Sequence, residues 1–192
     1  MSNFSSLETS SNARRLFGLV SIALFVDMLL YGGIVPLLPD YLSELGILES
    51  ELGLLFGSYA IALLATTPFM GKLCQWVSLR AVFVIGLCVL SLSTLLFATV
   101  NSYLLLCIAR SLQGMAAAVI WTSGLTGLVC VFPVHRRGSV LGMATTISAF
   151  GTLLGPSLSG FLAEHLGKSA LFFVLTLVSA VLVAVASCPL FM

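Results

Sequence analysis

Charge is what this chain has least of. Among its 192 residues seven are Asp or Glu and eight are Lys or Arg, 8% in all, where soluble domains carry about a quarter. Nor does it offer a convincing nucleophile and base pair, a cluster with metal-ligand spacing or a phosphate-binding loop. No enzyme activity, resident metal, cofactor or nucleic-acid partner is therefore expected. Its five cysteines, Cys74, Cys88, Cys107, Cys130 and Cys188, show no paired spacing and read as small buried apolar residues. Alternating polar and apolar stretches are missing too, which argues against strands.

What is present is hydrocarbon. Apolar residues make up 59% of the chain and the mean hydropathy is +1.17, so its solvent is lipid. A spanning helix takes about 20 residues, which leaves room for about six spans and no soluble domain. The runs place them at 17–39, 52–71, 81–100, 103–125, 139–162 and 169–191. Residues 1–15, rich in Ser and Asn, read as a disordered cytoplasmic tail, and 16–192 as one all-α six-helix transmembrane bundle. Short turns such as that around Val100 to Ser102 force antiparallel neighbours.

Orientation follows from the basic residues outside the spans. Arg14, Arg15, Lys72, Arg80, Arg136 and Arg137 fall on one side and Lys168 on the other, which puts both termini in the cytoplasm. Asp40, Glu44, Glu49 and Glu51 then occupy the first outer connection, and the sequon at Asn3 is unused. The plasma membrane and a vesicle or vacuole membrane are not distinguished.

Within the first span, LFGLVSIALFVDMLLYGGIVPLLP, Asp27 is the one charged side chain. Near mid-bilayer a carboxylate costs roughly 2.5 to 3.5 kcal/mol, so it must face protein or water. Two roles stay open. Desolvation disfavours its charge while a bound cation favours it, so it can exchange a proton for a cationic substrate. It can equally be a structural partner of Arg110 or of a backbone donor. Tyr31 follows one turn later on the same face, where it can stack on an amine. Tyr59 and Trp121 are weaker candidates, read chiefly as core, and His135 and His165 read as solvated at the membrane edges.

The fourth span, IARSLQGMAAAVIWTSG, sets Arg110, Gln113, Gly114, Ala117 and Trp121 at offsets 0, 3, 4, 7 and 11 along one face. The guanidinium of Arg110 is either a clamp between helices or a direct ligand group. In the fifth, GTLLGPSLSG from Gly151 to Gly160, Pro156 removes a backbone donor and bends the helix, and Gly151, Gly155 and Ser159 repeat every fourth residue as a smooth contact face.

RSLQGMAAA and GTLLGPSLSG, in these places, resemble the fourth-helix and antiporter motifs of the major facilitator superfamily, in particular its drug:proton antiporters and vesicular amine transporters. ALFVDMLLYGGIVPLLPDYL resembles the first helix of the amine group. The connection GKLCQWVSLR keeps Gly71 and Arg80 of the family's cytoplasmic loop motif but has Gln75 in place of the usual acid, and Arg80 itself reads as a solvated loop residue. The resemblance implies half of a major facilitator fold, a 3+3 inverted repeat. It also implies proton-coupled antiport of small cationic organic molecules by alternating access, with Asp27, Tyr31, Arg110 and Gln113 as substrate and proton residues and Gly114, Gly151, Gly155, Pro156 and Gly160 in helix packing and gating. The expected partners are the substrate, protons, the bilayer and a second six-helix half or another copy. The alternative is a truncated, non-transporting fragment that at most associates with a full-length relative.

Overall fold

Lipid offers no hydrogen bonds, so a spanning backbone must satisfy itself, and a helix does this within one segment. A computed structural model describes residues 2–44, 51–100, 102–167 and 169–188, with side chains from Asn12 onward except at 38 and 40–44. The side chains of Asn3, Asp40 and Glu44, and residues Glu49 and Lys168, lie outside that description. Six helices follow one another: α1 (Ser2–Glu44), α2 (Leu52–Trp76), α3 (Leu79–Thr99), α4 (Tyr103–Val131), α5 (Val134–Leu166) and α6 (Ala170–Ser187). All six are long and apolar enough to cross a membrane. Even α6, with 18 residues, rises about 27 Å, close to the thickness of the hydrocarbon core.

The helices absorb their own polar groups. Thr94 donates to the carbonyl of Leu90, Ser111 to Cys107, Ser123 to Val119 and Thr176 to Phe172, at 2.6–2.9 Å. Hydroxyls that would otherwise be left without a partner thus fold back onto their own helix. Pro36 and Pro39 in α1, Pro68 in α2 and Pro156 in α5 lie inside continuous helix. Between helices the turns are short. Ser78 caps α3 by accepting from the Ala81 N–H, and α5 ends at Gly167, whose φ of +94° favours a residue without Cβ.

In the bundle, α1 lies chiefly against α5, and α2 chiefly against α4. Exchanging α1 with α4, α2 with α5 and α3 with α6 maps one of these pairs onto the other, which is the relation a 3+3 repeat requires. The pair α3 and α6 maps onto itself and is also in contact. The α1–α5 crossing is backbone on backbone: a Cβ on Gly155 would stand 2.6 Å from the Gly33 nitrogen and 2.7 Å from the Leu29 carbonyl oxygen, and one on Gly151 would strike the Phe25 carbonyl. Gly114 meets the Tyr59 backbone in the same way, closing α4 on α2.

Three expectations change. The tail joins α1, which begins at Ser2, because each residue added to an existing helix gains a hydrogen bond without a new nucleation cost. None of the five cysteines is buried; Cys88 and Cys130 are exposed and the others half-buried. An apolar thiol loses nothing by facing hydrocarbon, so lipid removes the pressure to bury it. Gly160 does not belong to the contact stripe, since a Cβ there meets nothing within 4 Å, whereas Ser159 is fully buried. The four-residue repeat runs through 151, 155 and 159, and the next position turns away.

Substitution of Gly155 by Val is expected to cost about 1–3 kcal/mol through overpacking against α1, and Gly160→Ala to be neutral or slightly stabilising. Thermal unfolding of the purified variants in detergent checks the pair.

Candidate functional site

Only two described charged side chains are buried in the bundle, Asp27 and Arg110, at 2% and 0% exposure. Helix α1 presents Asp27 toward α4, where the indole Nε1–H of Trp121 donates to its Oδ2 at 2.9 Å. Arg110 does not reach it: Nη1 of Arg110 donates to Oε1 of Gln113, one turn on, at 3.0 Å. The guanidinium carbon lies 5.2 Å from the ring centre of Tyr59, 5.6 Å from Phe56 and 5.9 Å from Tyr31. Tyr31 and Tyr59 in turn pack ring to ring at 5.3 Å.

The antiparallel run of α1 and α4 explains this layout. Going forward from Asp27 to Tyr31 on α1 means going back from Trp121 toward Arg110 on α4. Those two residues are eleven positions and about 16 Å apart along the helix. One face of α4 therefore holds an indole against the carboxylate at one level and a guanidinium against the tyrosines at another. Phe56 and Tyr59, three apart on α2, close the guanidinium in from the other side. Each ring attracts the cation by its π face, an interaction that strengthens where water is excluded.

Beside the tyrosines a hollow of about 430 Å³ is lined by Met28, Tyr31, Tyr59, Ala60, Leu63 and Leu64. Tyr31, 37% exposed, and Tyr59 line this groove and also pack against the guanidinium of Arg110. A second hollow of about 210 Å³ lies near the opposite end of α4, between α1, α3 and α4, among Leu16, Val20, Phe83, Gly124 and Gly127. It has no charged side chain in its lining.

The residues singled out in the sequence thus separate into groups. Asp27 contacts Trp121, Arg110 contacts Gln113 and Tyr31, and Gly114 lets α2 approach α4 beside them. Gly151 and Gly155 press α5 against the other side of α1, with Pro156 exposed beside them. Gly71 and Gln75 are exposed at the end of α2. Arg80 is not simply solvated: its Nε and Nη2 donate to the carbonyls of Ala186 at 3.2 Å and Ser187 at 2.6 Å. The open carbonyls at the C-terminus of α6 attract a cation, which a loop reading overlooks. His135 and His165 are exposed, the latter edge-on to Phe161.

The partner of Asp27 is neither of those expected. From the sequence Trp121 reads chiefly as core, and nothing in it singles out Phe56. The spacing of Trp121 from Arg110 did place it on the inward face, and the three-residue step from Phe56 to Tyr59 is a face signal of the same kind. Neither spacing tells which helix lies opposite.

If Trp121 holds the carboxylate, Trp121→Phe should destabilise the bundle by about 1–3 kcal/mol, the cost of a buried acceptor left without its donor. In an Asp27→Asn background the same change should cost less, because the acceptor is no longer charged. Unfolding free energies for the four proteins of this cycle test the coupling.

The sequence model of the Major Facilitator Superfamily matches residues 20–191. The chain is 37% identical over 180 residues to a protein named probable vesicular acetylcholine transporter-B from Danio rerio, covering 89% of this chain and 36% of that one. It is 36% identical to the vesicular acetylcholine transporter of Drosophila melanogaster, with 87% and 34% covered. To the quinolone resistance protein NorA of Staphylococcus aureus strain MRSA252 it is 33% identical, with 78% and 39% covered. The chain spans little more than a third of the length of these curated relatives.

Proposed function

The chain belongs to the major facilitator superfamily, and from that membership we propose that its six helices act as one half of a proton-coupled antiporter of small organic cations. The reading rests above all on Asp27. It is buried in the first span and accepts its hydrogen bond from a neutral indole, while Arg110 is turned to Gln113. A carboxylate locked in a bidentate ion pair would be held in one state, whereas one held by a single neutral donor can release that donor and accept a proton or a cation.

The aromatic rings supply the second element. Tyr31 stands one turn from Asp27 and faces the groove, with Tyr59 against it. Aromatic faces recognise quaternary ammonium groups, and the names of two relatives refer to acetylcholine, which carries such a group. Proton and cation compete for one carboxylate. With the proton bound from the outer or luminal side and released inward, the cation moves the opposite way, out of the cytoplasm or into a vesicle. The excess of basic residues on one side of the spans supports a cytoplasmic position for both termini. A second six-helix half, another copy or another chain, completes the central site, and the two rock around it.

Proteoliposomes with an imposed pH gradient and ethidium as the probe cation test the exchange. Wild-type protein should take up the cation in a gradient-dependent way, and Asp27→Asn should lower that uptake about tenfold or more. Gradient-driven uptake that persists in Asp27→Asn defeats the role given to this residue. Crosslinking in membranes checks the self-pairing form, which predicts a dimer and which a strictly monomeric chain removes.

A further inference from the structure

The hollow among Leu16, Val20, Phe83, Gly124 and Gly127 plays no part in the exchange described above. Helix α4 packs on α3 and touches α1, and the hollow is the crevice left among the three. At Gly127 a Cβ would meet only the Leu16 side chain, at 3.9 Å, so the space is there because that side chain is missing. At Gly124 a Cβ would press on Val20 at 3.0 Å and Phe83 at 3.2 Å, which closes the deep end. Asn12, Cys130 and Val131 at the mouth are exposed, whereas Leu16, Val20 and Phe83 are buried. From Asn12 to Val20 the crevice follows α1 for eight positions, about 12 Å, close to half the thickness of the hydrocarbon core. Its one hydroxyl, that of Ser123, donates to the Val119 carbonyl of its own helix. The walls therefore suit an apolar occupant.

The mouth differs from the interior in charge. Arg14 and Arg15 follow Asn12 and are exposed, and Asn12, Arg15 and Leu16, at offsets 0, 3 and 4, share a face of α1. Beyond the end of α4, Arg137 donates to the Phe132 carbonyl at 3.0 Å, with the exposed Arg136 next to it in the chain. Among the described residues no acid stands at this end: Asp27 lies seven positions deeper than Val20, and Glu51 and Glu164 belong to the far ends of α2 and α5. In the orientation proposed above this is the cytoplasmic end, where anionic lipids give the membrane surface a negative potential. We propose that the crevice seats one acyl chain of an anionic phospholipid of that leaflet, whose phosphate is held by the arginines around Asn12. Spanning helices give the crevice the direction of the acyl chains, its length matches one leaflet, and its mouth lies at headgroup depth. A neutral apolar molecule would gain the same walls and nothing from the arginines.

The test uses the full chain in nanodiscs of dioleoyl phosphatidylglycerol and phosphatidylcholine in equal amounts, released and weighed by native mass spectrometry. One phosphatidylglycerol should stay bound per chain, favoured about tenfold over phosphatidylcholine. In phosphatidylglycerol discs, alkylation of Cys130 by N-ethylmaleimide should be several-fold slower than in phosphatidylcholine discs, while Cys74, at the same end on α2, should not change. Both contrasts are read on wild-type protein, so they do not depend on a variant folding. Lysophosphatidylglycerol should displace the bound lipid, and glycerol phosphate, the same charge without a chain, should not. Gly127→Leu, which fills the crevice, should lower retention about tenfold with thermal stability kept or raised. Arg14→Gln with Arg15→Gln should bring phosphatidylglycerol down to the level of phosphatidylcholine. Equal retention of the two lipids in wild type overturns the proposal, as does displacement by glycerol phosphate or full retention in Gly127→Leu. So does a Gly127→Leu chain that changes its oligomeric state and not its lipid, which would make a second copy the occupant. Asp27→Asn should keep the lipid, so this site and the transport reading fail separately.

Discussion

Two ionisable side chains inside a bundle surrounded by hydrocarbon impose the main constraint on this molecule. Lipid cannot solvate a carboxylate or a guanidinium, so protein atoms must, and they must come from other helices or the same face of the same one. Asp27 is met by the Trp121 indole across the α1–α4 contact, and Arg110 by Gln113 on its own helix and by rings from α1 and α2. Both sets of contacts demand that α1, α2 and α4 approach closely at a fixed height. Gly114 is placed where α4 meets the backbone of α2, while the glycines at 32, 33, 151 and 155 seat α1 against α5 and α6. Small residues set the spacing, and the spacing brings the polar groups together.

This also explains why the two charges are handled separately. An Asp–Arg pair in a dry interior would be strong but immobile, and its desolvation would be recovered only with every remaining donor and acceptor satisfied. Here each of the two groups has a neutral hydrogen-bond partner, and Nε and Nη2 of the guanidinium have none. At the ends, in contrast, contacts are closed: Tyr103 donates to the Glu51 carbonyl at 2.9 Å, tying α4 to the start of α2, and Arg80 holds the last carbonyls of α6.

Much of the fold was legible because a bilayer reduces the choices. A run of apolar residues longer than a strand needs is a helix there, and short turns make its neighbours antiparallel. The six spans followed from this, with ends that the structure lengthens, as at Trp76 and Val131. The 151, 155, 159 stripe followed from helical periodicity alone. Burial did not follow, as the cysteines show: in lipid an apolar side chain gains little by turning inward, so hydrophobicity stops telling inside from outside.

By itself the sequence determined that the chain crosses a membrane as six helices, and that an aspartate and an arginine, with the glutamine and tryptophan on the arginine's face, belong inside. Local periodicity and the cost of charge in hydrocarbon are enough for that. Only the tertiary structure decided that Asp27 meets Trp121 rather than Arg110, that Phe56 joins the tyrosines, and that Arg80 ends on α6. Each is a contact between residues far apart in the chain, set by the depth and rotation of one helix against another. Those two quantities come from the sum of all packing along the crossing, which no single segment carries.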